Sequence, residues 1–361
     1  MNYNDVRRRA RSVAVGGVML GGNAPIAIQS MTNTDTHDFE ATLAQARALR
    51  DAGCDILRLT VPDVAAADVM YRLKNADIGM PLVADIHYDY RVAIRCAEVG
   101  VDKIRINPGN IGGEERVRAV VDACKRRHVP IRIGVNGGSL EKHILEKHGS
   151  PTAKALCESA LFHISLLEKY DFYDTVISIK ASDVPTMITA NRLLADACEY
   201  PIHLGVTEAG NKARGSIKSA IGVGALLADG IGDTVRVSLT ADPVEEIGAA
   251  KNILSALGIK GQSGMNIVSC PTCGRTKIDL IELSARFEKA AGEAGLLDLP
   301  IRVALMGCAV NGPGEAREAD IGIRGGVGEA LLIAHGEIIE KIPEDQVIER
   351  LITEIKKLSK K

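Results

Sequence analysis

The chain has 361 residues, of which 46% are hydrophobic and 25% are charged, and its formal net charge is −2 at pH 7. This length exceeds what one hydrophobic core supports, so we expect one large domain and one smaller domain. The near-neutral charge, the 3% aromatic content and the absence of Trp argue against a nucleic-acid-binding protein. Neither a signal peptide nor an apolar run of about 18 residues is apparent, which predicts a cytoplasmic protein with no membrane partner.

Eight β-branched segments recur between about residues 26 and 257, and each is followed by a stretch with helical periodicity. This alternation is typical of βαβ units, and eight units without a central gap favour a closed (β/α)8 TIM-type barrel, an α/β fold, over an open sheet. Residues 12–22 read as two short strands around a glycine turn, which we expect to plug the bottom of the barrel. The predicted barrel strands are 26–32, 56–61, 81–86, 103–108, 130–135, 175–181, 201–206 and 234–239.

The alternation stops after Leu257, and the Gly-rich polar segment 258–266 is typical of a linker. We therefore predict a barrel domain over 1–260 and a smaller α+β domain over 261–361. The smaller domain is expected to open with a cysteine-bearing helix start and a helix to about Glu293. A strand at 301–307, one strand each around IGIRGG and ALLIAHGEIIEKI, and a Lys-rich last helix complete it.

Cations occur late in five of the predicted strands. Alternate residues of a strand share a face, and barrel active sites lie at the carboxyl ends of the strands, so these cations should converge at one mouth. Their burial requires an anion, and a phosphate or diphosphate ester suits arginine forks and the N–H groups of the PGNIGG loop. A network of interior ion pairs is the alternative. The cations are Arg58, Arg105, Arg132, Lys180 and Arg236, with Asn107, Asn136, Ser178 and Ser238 on the same faces.

Other groups at strand ends could take part in catalysis or substrate binding. Asp85, His87 and Glu208 could move protons or bind substrate hydroxyls, although a single histidine such as His87 is as often structural. Lys180 could instead form a Schiff base with a carbonyl substrate, as in aldolase-type barrels.

Three of the eight cysteines are spaced for a metal centre, whereas the other five stand alone in apolar or helical segments and are predicted to be buried. Cys270 and Cys273 form a C-x-x-C pair, which by itself suits zinc as well as iron, but no second pair or His pair follows it. Only Cys308 lies downstream. Three thiolates suit a [4Fe–4S] cluster with one iron left for another ligand or for substrate, and Glu315 is the nearest candidate.

Eight motifs in this order resemble those of the 4-hydroxy-3-methylbut-2-enyl diphosphate synthases of the non-mevalonate isoprenoid pathway. They are IAIQSMTNTDT, ADIHYDYR, KIRINPGNIG, IRIGVNGGSL, ISIKASD, LGVTEAG, CPTCGRT and GCAVNGPGEA. The resemblance covers the chain from about Val13 to Ile355 and implies a barrel followed by an iron–sulfur domain. It also implies reductive ring opening and dehydration of 2-C-methyl-D-erythritol 2,4-cyclodiphosphate, with flavodoxin or ferredoxin as electron donor and a head-to-tail homodimer.

The resemblance assigns roles to individual residues as well. It implies [4Fe–4S] ligation by Cys270, Cys273, Cys308 and Glu315, proton transfer by Glu208 and a substrate contact by Asn311. The implied diphosphate site consists of Arg58, Arg105, Arg132 and Lys180, with Asn107, Asn136, Arg236 and Ser238 nearby. A Schiff-base aldolase with a structural zinc site and a non-catalytic phosphometabolite sensor are the competing interpretations.

Overall fold

The computed structural model describes residues 6–259, 264–308 and 317–359. The chain divides into two compact units, Met1–Ile253 and Leu254–Lys361.

An antiparallel hairpin precedes the barrel strands in the first unit. It consists of β1 (Val13–Val15) and β2 (Val18–Leu20). Its inward-facing side chains are buried because they pack against apolar residues near the starts of four barrel strands. The hairpin therefore closes one end of the barrel interior, as the sequence predicted. This apolar layer is formed by Val13, Val15, Leu20, Ala27, Ile56, Val83 and Val176.

Eight parallel strands form the barrel. From β3 to β8 each strand pairs with the next, and β10 lies between β3 and β9. A bridge from Ile177 to Ile202 brings the two ends of the sheet together, which confirms the predicted (β/α)8 barrel. The strands are β3 (Ala27–Met31), β4 (Ile56–Thr60), β5 (Leu82–Asp85), β6 (Lys103–Ile106), β7 (Ile131–Asn136), β8 (Thr175–Lys180), β9 (His203–Leu204) and β10 (Thr234–Val235).

Helices alternate with these strands, and several begin at an aspartate whose carboxylate accepts a backbone N–H of the first turn, as Asp38, Asp63 and Asp183 do. Among the described residues, no helix combines the length and the apolarity that a membrane crossing requires. The helices are α1 (Phe39–Asp51), α2 (Val64–Lys74), α3 (Tyr90–Glu98), α4 (Pro108–Ile111), α5 (Glu114–Arg127), α6 (Lys142–His148), α7 (Ala153–Glu168), α8 (Val184–Ala197), α9 (Lys212–Ala228) and α10 (Pro243–Ala256).

The last two barrel strands are much shorter than the sequence predicted. Beyond Val235 the backbone leaves the ladder, and the N–H of Leu239 donates to a carboxylate oxygen of Glu246 at 3.1 Å. Gly205 lies directly against the neighbouring segment, since a Cβ at this position would be 2.6 Å from the carbonyl oxygen of Arg236. Side-chain and close backbone contacts at the barrel mouth thus replace regular strand pairing.

In its described residues, the second unit contains a mixed sheet and two α-helices. Strands β11 to β13 are parallel, and β13 to β15 are antiparallel. Both helices contribute to a core that includes Phe287, Leu351 and Ile355. The elements are β11 (Asn266–Ser269), α11 (Leu280–Glu293), β12 (Arg302–Met306), β13 (Ile321–Gly325), β14 (Glu329–Ala334), β15 (Glu337–Pro343) and α12 (Val347–Leu358).

Two expectations for this unit are wrong. Cys270 does not begin a helix, because it follows β11 directly and α11 starts only at Leu280. The segment ALLIAHGEIIEKI forms two strands instead of one, since φ angles of +47° at His335 and +84° at Gly336 produce a tight hairpin turn.

We predict that Leu20→Ala destabilises the barrel by about 2 to 5 kcal/mol, because it opens a cavity in the apolar layer that closes the barrel. Met19 is the matched control, since it lies in the same hairpin with 46% of its side chain exposed. Urea unfolding followed by far-UV circular dichroism measures both variants. Equal destabilisation by Leu20→Ala and Met19→Ala would contradict the proposed packing.

Candidate active site

Asp85 joins two arginines at the carboxyl end of β5. It is 2% exposed, and Nη1 of Arg105 lies 3.1 Å from its Oδ1 while Nε of Arg58 lies 3.5 Å from its Oδ2. The strand register places Asp85 opposite Arg105, and Arg105 opposite Arg132. Pairing of neighbouring parallel strands therefore creates this cluster from residues distant in sequence.

The electrostatics of Asp85 reflect its neighbours. Burial by itself raises the pKa of this carboxyl, but Arg58, Arg105 and Arg132 outweigh burial and hold the pKa at about 2. Asp85 is consequently a carboxylate at any physiological pH and partly neutralises the arginines around it.

A second ion pair lies on the other side of the mouth. Glu246 of α10 accepts hydrogen bonds from Nε and Nη2 of Arg236 at 3.1 and 3.0 Å, and from the Ser30 hydroxyl at 2.8 Å. Such bidentate geometry fixes the guanidinium plane. Sequence reasoning missed Glu246 because it lies in the first turn of a helix and carries no strand-end signal.

Met31 connects the two clusters. Its sulfur is 3.0 and 2.8 Å from Nε and Nη2 of Arg58 and 3.8 Å from Nη1 of Arg236. Lys180 faces the same cations: burial, Arg58 and Arg236 together lower its pKa well below the ordinary lysine value. Contacts with Asp85, Met31 or Glu246 thus link Arg58, Arg105 and Arg236. Electrostatic repulsion couples Lys180 to these arginines and to Arg132, the fifth predicted cation.

Positive charge exceeds negative charge in this cluster. Burial and the neighbouring guanidinium groups lower the pKa of Arg132, and burial lowers that of Arg58 to about 10. Arginine nevertheless keeps its proton in proteins, so these shifts express electrostatic repulsion that a bound anion would relieve. In the described part of the barrel, the cluster contains the basic residues Arg58, Lys103, Arg105, Arg132, Lys180 and Arg236 and the carboxylates Asp85 and Glu246.

Sequence reasoning also missed a polar layer deeper in the barrel. Lys103 and His203 are fully buried, and Lys103 Nζ, His203 Nε2 and Nε2 of buried Gln29 have no hydrogen-bond partner among the described residues. The strand alternation could have revealed Lys103, because it stands two residues before Arg105 on the same face of β6.

Two glycines make room for the cations. A Cβ at Gly134 would lie 2.5 Å from Nε of Arg105, and a Cβ at Gly205 would lie 2.8 Å from Nζ of Lys180. Neither position can carry a side chain unless the cation moves.

Asn107 and Asn136 are linked at the outer rim by Ser139. The Asn107 amide donates to Ser139 Oγ at 2.7 Å, and this hydroxyl donates to Asn136 Oδ1 at 3.0 Å. Asn107 Oδ1 also accepts the N–H of Gly109 at 3.0 Å, which caps the short helix α4. The PGNIGG segment is therefore held at the rim by side-chain hydrogen bonds.

The remaining predicted site residues are not joined to this network. His87 and Glu208 are exposed and Ser238 is half-buried, and their side chains make no hydrogen bond or ion pair to another described residue. Glu208 has a φ of +52°, an unusual backbone conformation for a residue with a side chain. Asn311 and Glu315 lie outside the described residues.

The cysteines of the second unit follow two parallel strands. Ser269 at the end of β11 pairs with Leu305 of β12, so Cys270 and Cys308 leave the same edge of the sheet. The N–H of Gly307 donates to Sγ of Cys270 at 3.4 Å. Cys273 is exposed, whereas Cys270 and Cys308 are half-buried.

These features fit an anionic thiolate-ligated group. An N–H···S bond is typical of iron–sulfur ligation. Arg324 of β13 pairs with Met306 of β12, and its buried Nε has no hydrogen-bond partner within the described part of the chain. Within residues 6–259, 264–308 and 317–359, no three His, Cys, Asp or Glu side chains are close enough to complete a metal site. Of the other cysteines, Cys54, Cys96, Cys124 and Cys157 are buried, as predicted, while Cys198 is half-buried.

The fold and the site define a barrel protein with an excess of basic residues at its mouth and a second, thiol-bearing unit. Residues 10–251 match the GcpE TIM-barrel domain, and residues 266–357 match the GcpE protein C-terminal domain. The chain belongs to the GcpE family, which confirms the family recognised from the eight motifs.

Curated relatives support the same assignment over the whole chain. The 4-hydroxy-3-methylbut-2-en-1-yl diphosphate synthase (flavodoxin) of Ruminiclostridium cellulolyticum is 56% identical over 98% of both chains. A protein of the same name from Geobacillus thermodenitrificans is 54% identical over 98% of this chain and 93% of its own. The solved N-acetylneuraminic acid synthetase of Leptospira borgpetersenii matches with a TM-score of 0.52 at 13% identity, covering 77% of this chain and 97% of that one. This last likeness concerns the fold alone.

We predict that Asp85→Asn lowers the free energy of unfolding at neutral pH by about 3 to 5 kcal/mol, because it leaves buried arginines without their counter-charge. The Asp85 pKa of about 2 lies below the ordinary value of 3.8, so its charge stabilises the fold above about pH 4. That contribution, about 2 kcal/mol, is lost as the pH falls towards 2. The difference in the free energy of unfolding between wild type and Asp85→Asn should therefore decrease as the pH falls.

Asp68→Asn is the control, because this carboxylate pairs with Arg95 on the surface with 56% of its side chain exposed. It should cost less than about 1 kcal/mol. Urea unfolding of both variants at several pH values measures the effect. A gap for Asp85→Asn that stays constant down to pH 2 would refute the assigned ionisation.

Proposed function

We infer that this chain catalyses the reductive ring opening and dehydration of 2-C-methyl-D-erythritol 2,4-cyclodiphosphate to 4-hydroxy-3-methylbut-2-enyl diphosphate. The curated relatives carry the name of this synthase, and they support the reaction predicted from the sequence. The observation that carries the proposal is the excess of buried cations over carboxylates at the mouth, which only a multiply charged anion matches.

The diphosphate is bound by the cations of the mouth. Arg58 and Arg105 are held by Asp85, and Arg236 is held by Glu246, so their guanidinium groups are oriented before substrate arrives. Arg132 and Lys180 supply further positive charge, and the substrate relieves their mutual repulsion. The substrate-binding set consists of Arg58, Asp85, His87, Arg105, Asn107, Arg132, Asn136, Lys180, Arg236, Ser238 and Asn311.

Glu208 supplies the proton that loss of water requires. It stands beyond β9, it is exposed, and its side chain is not engaged by another described residue, so it is free to reach a bound ligand. The polar rim formed by Asn107, Ser139 and Asn136 orients the substrate hydroxyls above the cations.

A [4Fe–4S] cluster would be held by Cys270, Cys273, Cys308 and Glu315. When bound, it would pass on electrons from the external donor and supply an iron that acts as a Lewis acid. The N–H of Gly307, which donates to Cys270 Sγ, would stabilise a thiolate ligand at this sheet edge. Glu315 would be the exchangeable ligand, because carboxylates bind iron less strongly than thiolates do.

The electron donor is a flavodoxin, as the names of the relatives indicate, or a ferredoxin. We also propose the head-to-tail homodimer that the family resemblance implies. The Schiff-base alternative has no support among the relatives. The lowered pKa of Lys180, which such chemistry would need, is equally explained by burial and the surrounding arginines.

We predict that Gly134→Ala weakens substrate binding by about tenfold to a hundredfold, because the added methyl group displaces Arg105 and costs about one charge-assisted hydrogen bond. Gly138→Ala is the matched control, since a Cβ there meets only Asn136 Oδ1 at an ordinary 3.7 Å. Titration calorimetry with the cyclodiphosphate, without an electron donor, measures both. An unchanged Kd for Gly134→Ala would argue against Arg105 as a ligand.

Cys308→Ser is expected to reduce cluster content strongly in protein purified without oxygen, because serine is a poor iron ligand. Cys198→Ser is the control, because Cys198 is half-buried like Cys308 but lies in the barrel unit. Iron analysis and visible absorption provide the measurement. Full iron loading of Cys308→Ser would eliminate this residue from the ligand set.

A further inference from the structure

Lys103 occupies an unusual place for a lysine. It begins β6 inside the barrel, its side chain is fully buried, and its Nζ has no hydrogen-bond partner among the described residues. Val83, its partner on β5, belongs to the apolar layer that closes the barrel. A charged ammonium group in this place lacks both water and a direct counter-ion.

Charged groups surround Lys103 from the neighbouring strands. Asp85 is engaged by Arg58 and Arg105, and the more distant Glu246 is engaged by Arg236, so neither carboxylate pairs with Lys103. Cations and one neutral histidine complete the surroundings. The charged and titratable groups of the barrel interior are Arg58 of β4, Asp85 of β5, Arg105 of β6, Arg132 of β7, Lys180 of β8, His203 of β9 and Arg236, which directly follows β10.

This arrangement penalises the charged form of Lys103. Burial lowers its pKa well below the ordinary value, and repulsion from Arg132 and Arg58 lowers it further. The arginines cannot relieve the repulsion by losing a proton, whereas a lysine can. Lys103 is therefore a group at which the barrel interior can lose positive charge.

We propose that Lys103 is uncharged in the free barrel and takes up a proton when the diphosphate binds at the mouth above it. This inference rests on the proposed function. A dianion bound to Arg132 and Arg58 would offset the repulsion that these two guanidinium groups exert on the Lys103 ammonium group. The charged form of Lys103 would then become favourable. Lys103 is a positioning residue, because it lies one step below Arg105 on the strand and acts on the substrate through the arginine layer.

The coupling has a defined sign. If binding takes up a proton, affinity falls as the pH rises, because the proton becomes scarcer. Kd should rise by up to tenfold per pH unit between the pKa of Lys103 in the free barrel and its higher pKa in the complex. A cyclic diphosphate suits the test, since each phosphorus carries one strongly acidic hydroxyl and the ligand stays a dianion between about pH 6 and pH 9.

The experiment is titration calorimetry of the cluster-loaded protein with the cyclodiphosphate, without an electron donor, in buffers of different ionisation enthalpy. The dependence of the heat on the buffer gives the number of protons taken up. Wild type should take up a substantial fraction of one proton, and Lys103→Met, which is apolar and similar in length, should lose this uptake and the pH dependence of Kd. Lys103→Arg, which stays charged, should lose both as well.

The outcomes separate the two proposals. Binding without proton uptake in wild type at every pH would overturn the role of Lys103 and leave the diphosphate site standing. Uptake that persists in Lys103→Met would assign the proton to Lys180 or His203 and would also overturn it. Absence of binding in wild type would overturn both proposals. If neither variant folds, the wild-type pH series still tests the proposal, because a Kd that does not rise with pH would overturn it.

Discussion

Repulsion among buried cations governs this structure. The closed barrel brings arginines and lysines from β4, β6, β7, β8 and the segment after β10 into one interior, and among the described residues the carboxylates that oppose them are Asp85 and Glu246. Each carboxylate is shared between partners: Asp85 holds two arginines, while Glu246 holds Arg236, a serine and a backbone N–H. The remaining positive charge has no carboxylate partner among the described residues, and this excess supports the anion site that we propose at the mouth.

Other features of the barrel follow from accommodating these side chains. Gly134 and Gly205 leave space for Arg105 and Lys180, and regular pairing of β9 and β10 ends early where Glu246 captures the backbone of Leu239. The apolar hairpin layer closes the opposite end, so that water does not reach Lys103 from below. Stability from apolar packing at one end of the barrel thus supports a polar, destabilising arrangement at the other.

The second unit also uses parallel strand pairing to bring candidate functional side chains together. At its sheet edge these side chains are the thiols of Cys270 and Cys308 instead of guanidinium groups. The charge requirement is opposite in the function that we propose, because a thiolate-bound cluster would be anionic, and the Gly307 N–H that donates to Cys270 Sγ would stabilise it. In that proposal the barrel attracts a negatively charged ligand, and the second unit holds a negatively charged group.

The eight-fold alternation, the hairpin, and the strand faces of Arg58, Arg105 and Arg132 could be predicted from the sequence, because strand periodicity is local. The same periodicity also places Lys103 on the inward face of β6, two residues before Arg105. Glu246, Met31 and Ser139 could not be predicted, since they meet the strand ends only through the packing of a helix, a neighbouring strand and a rim loop. The strand β11 was missed because it begins at the end of the Gly-rich polar segment 258–266, which is typical of a linker. Sequence determined which side chains face inward; only the tertiary structure decided which charges meet, because strand register and barrel closure set those distances.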